Sequence, residues 1–155
     1  IVFFMRTHKE IHSISANRET IFKVIADIEN YPTFLPWCIG ARITQTNQLS
    51  DIFIQRAELI IAFKSFRESF FSDIQLNRKN WTINIQSNNK PFKSLKGQWI
   101  IQEKDDHCEV SFEIKFEFES MILEKLIGAV FFNAVKSIIK AFEEQCLKNE
   151  NLTPY

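Results

Sequence analysis

Few residues of this chain are suited to chemistry: three histidines, three cysteines and one oddly placed carboxylate. His8, His12 and His107 fall on or beside runs of strand character, with no nucleophile-and-acid pattern around them. His8 and His12 share strand parity, but four residues along a strand is about 13 Å, too far to hold one metal ion. Cys38, Cys108 and Cys146 are odd in number and widely spaced, without C-x-x-C or a histidine at ligand spacing. They read as buried or incidental thiols of a reducing compartment rather than a metal set. The chain has no G-x-S-x-G, no Walker loop, no G-x-G-x-x-G and no H-E-x-x-H. Glu68 stands out because it shares parity with Phe66 and Phe70, which aims its carboxylate at the dry face of a strand. An isolated buried charge is costly unless paired, protonated or hydrogen-bonded. Two readings stay open: a bulge turns Glu68 to solvent or Arg56 or Arg67 pairs with it, or it is a polar anchor inside an apolar pocket. Neither a catalytic set nor a metal site is expected, and no cofactor is required.

The elements that must position these residues follow from hydrophobic periodicity. A first strand is predicted over 6–15, with His12 and Ile14 on one face and Ile11 on the other. Asn17 caps a helix running to about Glu29, with Glu19 in its first turn and Ile21, Phe22, Val24, Ile25 and Ile28 as its apolar stripe. Pro32 disfavours helix at Tyr31. Phe34-Leu35-Pro36-Trp37 then forms a dense apolar knot that suits a short second helix, a plug between helix and sheet, or a rim. Strand patterns follow at 41–46, 51–63, 65–76, 81–85 and, after Pro91, 99–102. The clearest places Phe112, Ile114, Phe116 and Phe118 in strict alternation with Glu113, Lys115, Glu117 and Glu119, the mark of a sheet with one wet and one dry face. Short connections favour an antiparallel meander. A closing helix over 121–148 carries Leu123, Leu126, Ile127, Val130, Phe131, Val135, Ile138, Ile139 and Phe142 as a wide stripe. Its length is roughly 40 Å, enough to cross the sheet. The tail 149–155 reads as frayed. The fold class is α+β, one domain over 1–155 with its core at about 6–148.

Composition narrows the function classes. Sixteen phenylalanines against three glycines and four prolines must be buried together or must line something. Nineteen basic and nineteen acidic residues cancel, so no bulk field draws in nucleic acid, and no DNA partner is expected. Residues 1–5 are apolar but too short for a signal-peptide core, and Arg6, His8, Lys9 and Glu10 follow at once. The chain does not open with Met, and Met5 is one alternative start. No stretch reaches the roughly eighteen apolar residues of a membrane span. The expected location is the cytoplasm, with a peripheral place at the inner face of the membrane as the alternative.

Tyr31-Pro32-x-Phe34-Leu35-Pro36-Trp37-Cys38 followed by Ala41-Arg42-Ile43 resembles the signature of the coenzyme Q-binding, START-like family of the polyketide cyclase superfamily. Phe66-Arg67-Glu68-Ser69-Phe70, then Pro91-Phe92-Lys93-Ser94-Leu95 leading to Trp99, and the Phe112 to Phe118 alternation agree with it in order, over nearly the whole chain. Lys90 stands where a Gly commonly precedes the Pro-Phe pair. The resemblance implies a helix-grip fold, a curved antiparallel sheet wrapped round the C-terminal helix with an apolar cavity between them. It also implies binding of ubiquinone or a related polyprenyl lipid in support of respiration, with transient membrane-surface contact. The cavity lining expected from it is Phe34, Leu35 and Trp37 at the entrance, Phe66, Glu68, Phe70, Trp99, Phe112 and Phe116 on the sheet, and Leu126, Val130 and Phe131 on the helix. A second reading, from bacterial relatives, is a toxin-like ribosome-association inhibitor that binds the large subunit. That role requires a basic patch, for which Lys90, Lys93 and Lys96 or Arg78 and Lys79 are candidates. A third reading is a polyketide cyclase, with Glu68 as its acid–base group.

Overall fold

A computed structural model describes residues 5–63 and 65–152. The expectations for residues 1–4 and for the end of the tail, 153–155, lie outside the described residues. The elements are β1 (Arg6–Ile14), α1 (Arg18–Ala26), a 3-10 helix (Ile28–Thr33), β2 (Cys38–Leu49), β3 (Ile52–Phe63), β4 (Phe66–Asn77), β5 (Thr82–Ser87), β6 (Phe92–Glu103), β7 (Cys108–Phe118) and α2 (Met121–Leu152). The strands form one antiparallel, curved sheet in the order β1-β7-β6-β5-β4-β3-β2. β2 to β7 are the expected meander. β1 completes the sheet by pairing with β7, which brings the first and last strands together beside α2.

Local chemistry sets the boundaries. Asn17 accepts a hydrogen bond from Thr20 N at 2.8 Å and caps α1 as expected. α1 ends at Ala26 instead of Glu29, because the approach to Pro32 tightens the chain into the 3-10 helix, which keeps Ile28 and Tyr31 buried. Residues 34–37 are a turn and not a second helix; Trp37 sits there at φ 62°, a left-handed backbone unusual for an aromatic residue. β6 begins seven residues earlier than the 99–102 strand expected, directly after Pro91, because a proline may precede a strand without taking a place in its ladder. α2 continues four residues beyond Lys148, so 149–152 is helix and not frayed tail.

The core lies between the concave sheet face and the two helices. Ile21, Phe22, Val24 and Ile25 of α1 are buried there, as are Val135, Ile139, Phe142 and Cys146 of α2, spaced three or four residues apart on one face. Before Val135 the helix is different. Its buried positions there are Glu124 and Gly128, and the expected cavity residue Leu126 is 69% exposed.

Candidate functional site

Two clusters of aromatic rings stand between the sheet and α2. In one, Phe92 meets Phe70 at 5.2 Å, Phe118 at 5.4 Å and Phe131 at 5.9 Å. In the other, Trp99 meets Phe112 at 4.3 Å and Phe142 at 5.2 Å, and Phe142 meets Tyr31 at 5.2 Å. Phe92 and Phe118 are stacked and the other pairs touch edge-on or tilted, as ring quadrupoles favour, and the rings are too stiff to fold into the space beside them. That space is a cavity of about 200 Å³. Leu59, Ile61 and Phe63 of β3, Ser72 of β4 and Ile85 of β5 line its sheet side, and Ile127, Val130, Phe131, Ala134 and Ile138 its helix side. At about 24 cal/mol per Å³, a hollow of this size in a core forgoes on the order of 5 kcal/mol of packing.

The lining residues of the 35–37 turn, of β3 and of α2's first half are half-exposed, while Phe70, Ser72, Trp99 and Phe112 are buried. The opening therefore lies between that turn, β3 and α2, and the deeper wall is formed by β4, β6 and β7. Trp37 packs on Phe63 at 5.4 Å at this opening. The exposed apolar side chains of Met121, Ile122 and Leu126 sit on the first turns of α2. Ile122, Leu126 and Val130 are each four residues apart, so this exposed stripe runs directly into the cavity lining.

Of the residues expected from sequence, Leu35, Trp37, Phe66, Phe70, Trp99, Phe112, Val130 and Phe131 line the cavity. Phe34, Glu68, Phe116 and Leu126 do not. Phe34 turns to Tyr31 and Phe142, at 6.0 and 5.4 Å, and plugs the gap behind the entrance. Phe116 is completely buried and packs under Phe131 at 4.4 Å, so it supports the wall without reaching the void. Leu126 faces outward because its helical position is one step beyond the stripe that Ile127 and Phe131 present to the sheet. Glu68 is half-exposed and forms no hydrogen bond or ion pair with the described residues. The β3–β4 register is unbroken, so no bulge turns it. Arg56 pairs with Asp73 instead, at 3.1 Å. β5 pairs only with Asp73 to Asn77, and the uncovered length of β4 lets the Glu68 carboxylate reach water.

The hydroxyl and thiol groups on the cavity wall are those of Tyr31, Cys38 and Ser72, and Trp37 and Trp99 add indole N–H groups. The Tyr31 hydroxyl donates to the Ile25 carbonyl, and burial pushes its phenol far above the usual range. Cys38 Sγ donates to the Gly40 carbonyl at 3.5 Å, and burial raises its thiol despite that bond. Cys146, behind the wall, is pushed up to about 12 by burial and the charge of Glu143, so it is a protonated thiol at neutral pH. Among the described residues no cluster of three or more His, Cys, Asp or Glu could hold a metal ion.

A second polar feature escaped the sequence reading. The inward face of β1 presents Arg6, His8, Glu10 and His12 to α2. Glu10 bridges both histidines, at 2.6 Å from His8 Nε2 and 2.9 Å from His12 Nε2, and His12 Nδ1 lies 3.2 Å from Glu143. Arg6 pairs with the buried Glu124. Gly128 provides the seat: a Cβ there would stand 2.6 Å from Glu124 Oε1. The signal of this cluster in the sequence is the alternation of charged residues on β1, where the His8–His12 spacing by itself speaks only against a shared metal.

A curved antiparallel sheet gripping a long helix round an apolar hollow is a helix-grip architecture of the START type. The chain belongs to the polyketide cyclase/dehydrase and lipid transport family, whose model matches residues 14–143. It is similar to the ribosome association toxin RatA of Rickettsia prowazekii, 34% identical over 128 residues that cover 81% of this chain and 85% of the relative. It is also similar to the mitochondrial coenzyme Q-binding protein COQ10 homolog B of Xenopus laevis, 28% identical over 131 residues, 82% of this chain and 52% of that protein. Among solved structures, the Zhui aromatase/cyclase of Streptomyces sp. R1128 shares the fold at a TM-score of 0.76 and 13% identity, over 92% of this chain and 94% of that one. Among the described residues, no helix is long and apolar enough to cross a membrane.

Proposed function

We propose that this protein binds and carries an apolar, quinone- or polyprenyl-type lipid and is not a catalyst. The observation that carries the reading is the half-open cavity of about 200 Å³, walled by aromatic and aliphatic side chains. Binding there is dominated by buried area, at about 0.8 kcal/mol per CH₂, and so tolerates changes in tail length. The volume is below the roughly 300–1,000 Å³ of sites that enclose a drug-sized ligand. A long tail is therefore held in part, and its remainder leaves through the opening. The exposed stripe of Met121, Ile122 and Leu126 at that opening suits a transient contact with a bilayer, from which such a ligand is drawn. Similarity to a protein named for coenzyme Q binding supports the same ligand class. Phe66→Asp, which puts a charge on the cavity wall, abolishes extraction of a labelled quinone from vesicles in this reading; unchanged extraction by the folded variant overturns it.

The second reading, ribosome association, is favoured by the similarity to a protein named for it. The surface gives it less support. Arg78 is paired with Glu19 and lies over Phe22, and Lys90 is 3.9 Å from Glu119, so these candidate cations are partly neutralised. Salt-dependent co-sedimentation with large ribosomal subunits separates the readings.

A further inference from the structure

A buried hydroxyl on the cavity wall is not used by the fold. Ser72 is 1% exposed, and its Oγ has no hydrogen-bond partner among the described residues. None of its described neighbours is placed to supply one. Across β3 it faces Ala57, and the Ser87 hydroxyl is turned to the Phe71 carbonyl, to which it donates at 2.5 Å. Two other polar groups of the wall are committed, Tyr31 to the Ile25 carbonyl and Cys38 to the Gly40 carbonyl, while Trp37 and Trp99 bring indole N–H groups to it. A buried hydroxyl without a partner is unfavourable, and native structures rarely leave one so. A water molecule needs two to four polar partners to be held, and this wall is almost wholly apolar. What remains is a donor on a residue of the cavity wall, its Oγ closed off from the hollow as it stands and reached by a guest once the side-chain rotamer turns towards it.

We propose that Ser72 is the head-group anchor of this cavity. Its hydroxyl donates to an oxygen acceptor, a carbonyl or an ether, at the leading end of an uncharged ligand. The ligand enters head first, and its apolar tail trails towards the opening between α2 and the 35–37 turn. This rests on the lipid-binding reading above and sharpens it. No Lys, Arg, Asp or Glu lines the cavity, so a carboxylate or phosphate head would be desolvated without a counter-charge. Free fatty acids and phospholipid head groups are therefore excluded from the Ser72 end. Neutral quinones and ketones fit it. The anchor gives orientation, while the tail supplies most of the affinity.

The test compares wild type with Ser72→Ala, using a decyl-substituted benzoquinone and decylbenzene, which keeps the ring and tail but lacks both carbonyls. The expected result is about tenfold weaker quinone binding by the variant, the scale of one hydrogen bond, with decylbenzene binding unchanged. Infrared difference spectra of the bound quinone supply a readout that packing alone does not move. A carbonyl band lowered in frequency appears with wild type and is lost with Ser72→Ala. The ligand-free variant melts no lower than wild type, because the substitution removes an unsatisfied buried hydroxyl. Equal quinone affinity and the same carbonyl band in both proteins overturn the anchor and leave the cavity reading standing. Equal weakening of both probes means a packing role and also overturns it. If wild type binds neither probe, the lipid-binding reading fails and the anchor with it. A tailless benzoquinone separates head from tail: binding that retains the Ser72 dependence supports head-first entry, and binding without it refutes that orientation.

Discussion

Filling the cavity should stabilise the protein and impair it at the same time. Ala134 lies on the cavity side of α2, half-exposed, between Val130 and Ile138. Ala134→Leu adds three carbon groups, whose full burial would contribute about 2.4 kcal/mol at about 0.8 kcal/mol each. Half-exposure roughly halves this, and the lower helix propensity of Leu removes about 0.2 kcal/mol more. The net expectation is a stabilisation of about 1 kcal/mol, seen as a rise of about 2–4 °C in Tm for a chain of this size. The same three groups displace an equal part of any guest, so quinone affinity falls by up to about 50-fold. Urea unfolding measures the first effect, and quenching of Trp99 and Trp37 on the cavity wall by a bound quinone measures the second. Destabilisation by about 1–3 kcal/mol at unchanged m-value would mean that the walls already touch and the chain is overpacked, which refutes the hollow. Stabilisation with undiminished affinity would mean that the guest sits elsewhere.

Two further predictions concern the grip of α2 on β1. Burial raises the Glu10 carboxyl, but its hydrogen bonds to His8 and His12 outweigh this and hold it below the usual carboxylate range. Its contribution is therefore fully present above the unfolded value of about 4.3 and is lost as pH falls through the lowered folded value. Thermal melts taken from about pH 6 to about pH 3 should fall more steeply for wild type than for Glu10→Gln; parallel curves would refute the bridge. Glu124→Ala leaves Arg6 without its buried partner, and because Arg6 is partly exposed the expected loss is about 1–3 kcal/mol. Hydrogen exchange should then quicken in the first three turns of α2, and unchanged protection there would show that the pair does not hold the helix down.

How much of this was legible in the sequence depends on what each signal encodes. Strand parity encodes a face, so Phe112 and Phe116 were both assigned correctly to the inner one. Parity does not encode what lies above a residue, and Phe116 meets Phe131 where Phe112 meets the void. Helical periodicity encodes a stripe about 100° wide, which admitted Leu126 along with Ile127 and Val130 because the lateral limit of the facing sheet is a tertiary fact. β6 was shortened because Lys93, Ser94, Lys96 and Gly97 dilute its alternation. Pro91 looked like a breaker when it only precedes the strand. Glu68 drew attention because a buried charge is expensive. Ser72, of the same parity and only four residues on, gives no such signal, because a hydroxyl among apolar residues is cheap to bury compared with a carboxylate. The structure reverses their roles: the carboxylate reaches water, and the hydroxyl stays inside.

The phenylalanine excess, at first sight a recipe for a solid core, is what keeps the cavity open. Flexible side chains such as Leu or Met relax into a neighbouring gap, and a hollow lined by them tends to close. A ring has two side-chain torsions, and once it is wedged edge-on between other rings it cannot turn without breaking several contacts. The Phe70, Phe92, Phe118 and Phe131 group and the Trp99, Phe112 and Phe142 group act as two such wedges, holding α2 off the sheet on either side of the space. α2 meets this constraint along its length in two ways. Past Val135 it is packed shut, through Ile139, Phe142 and Cys146. Before Val135 it stands over the hollow and is fastened to the sheet edge by an ion pair set into Gly128. Motion that admits a guest is therefore expected in the first half of the helix, where the Arg6–Glu124 pair and the Phe131 contacts hold it over the hollow and the side chains of Ile122 and Leu126 are exposed.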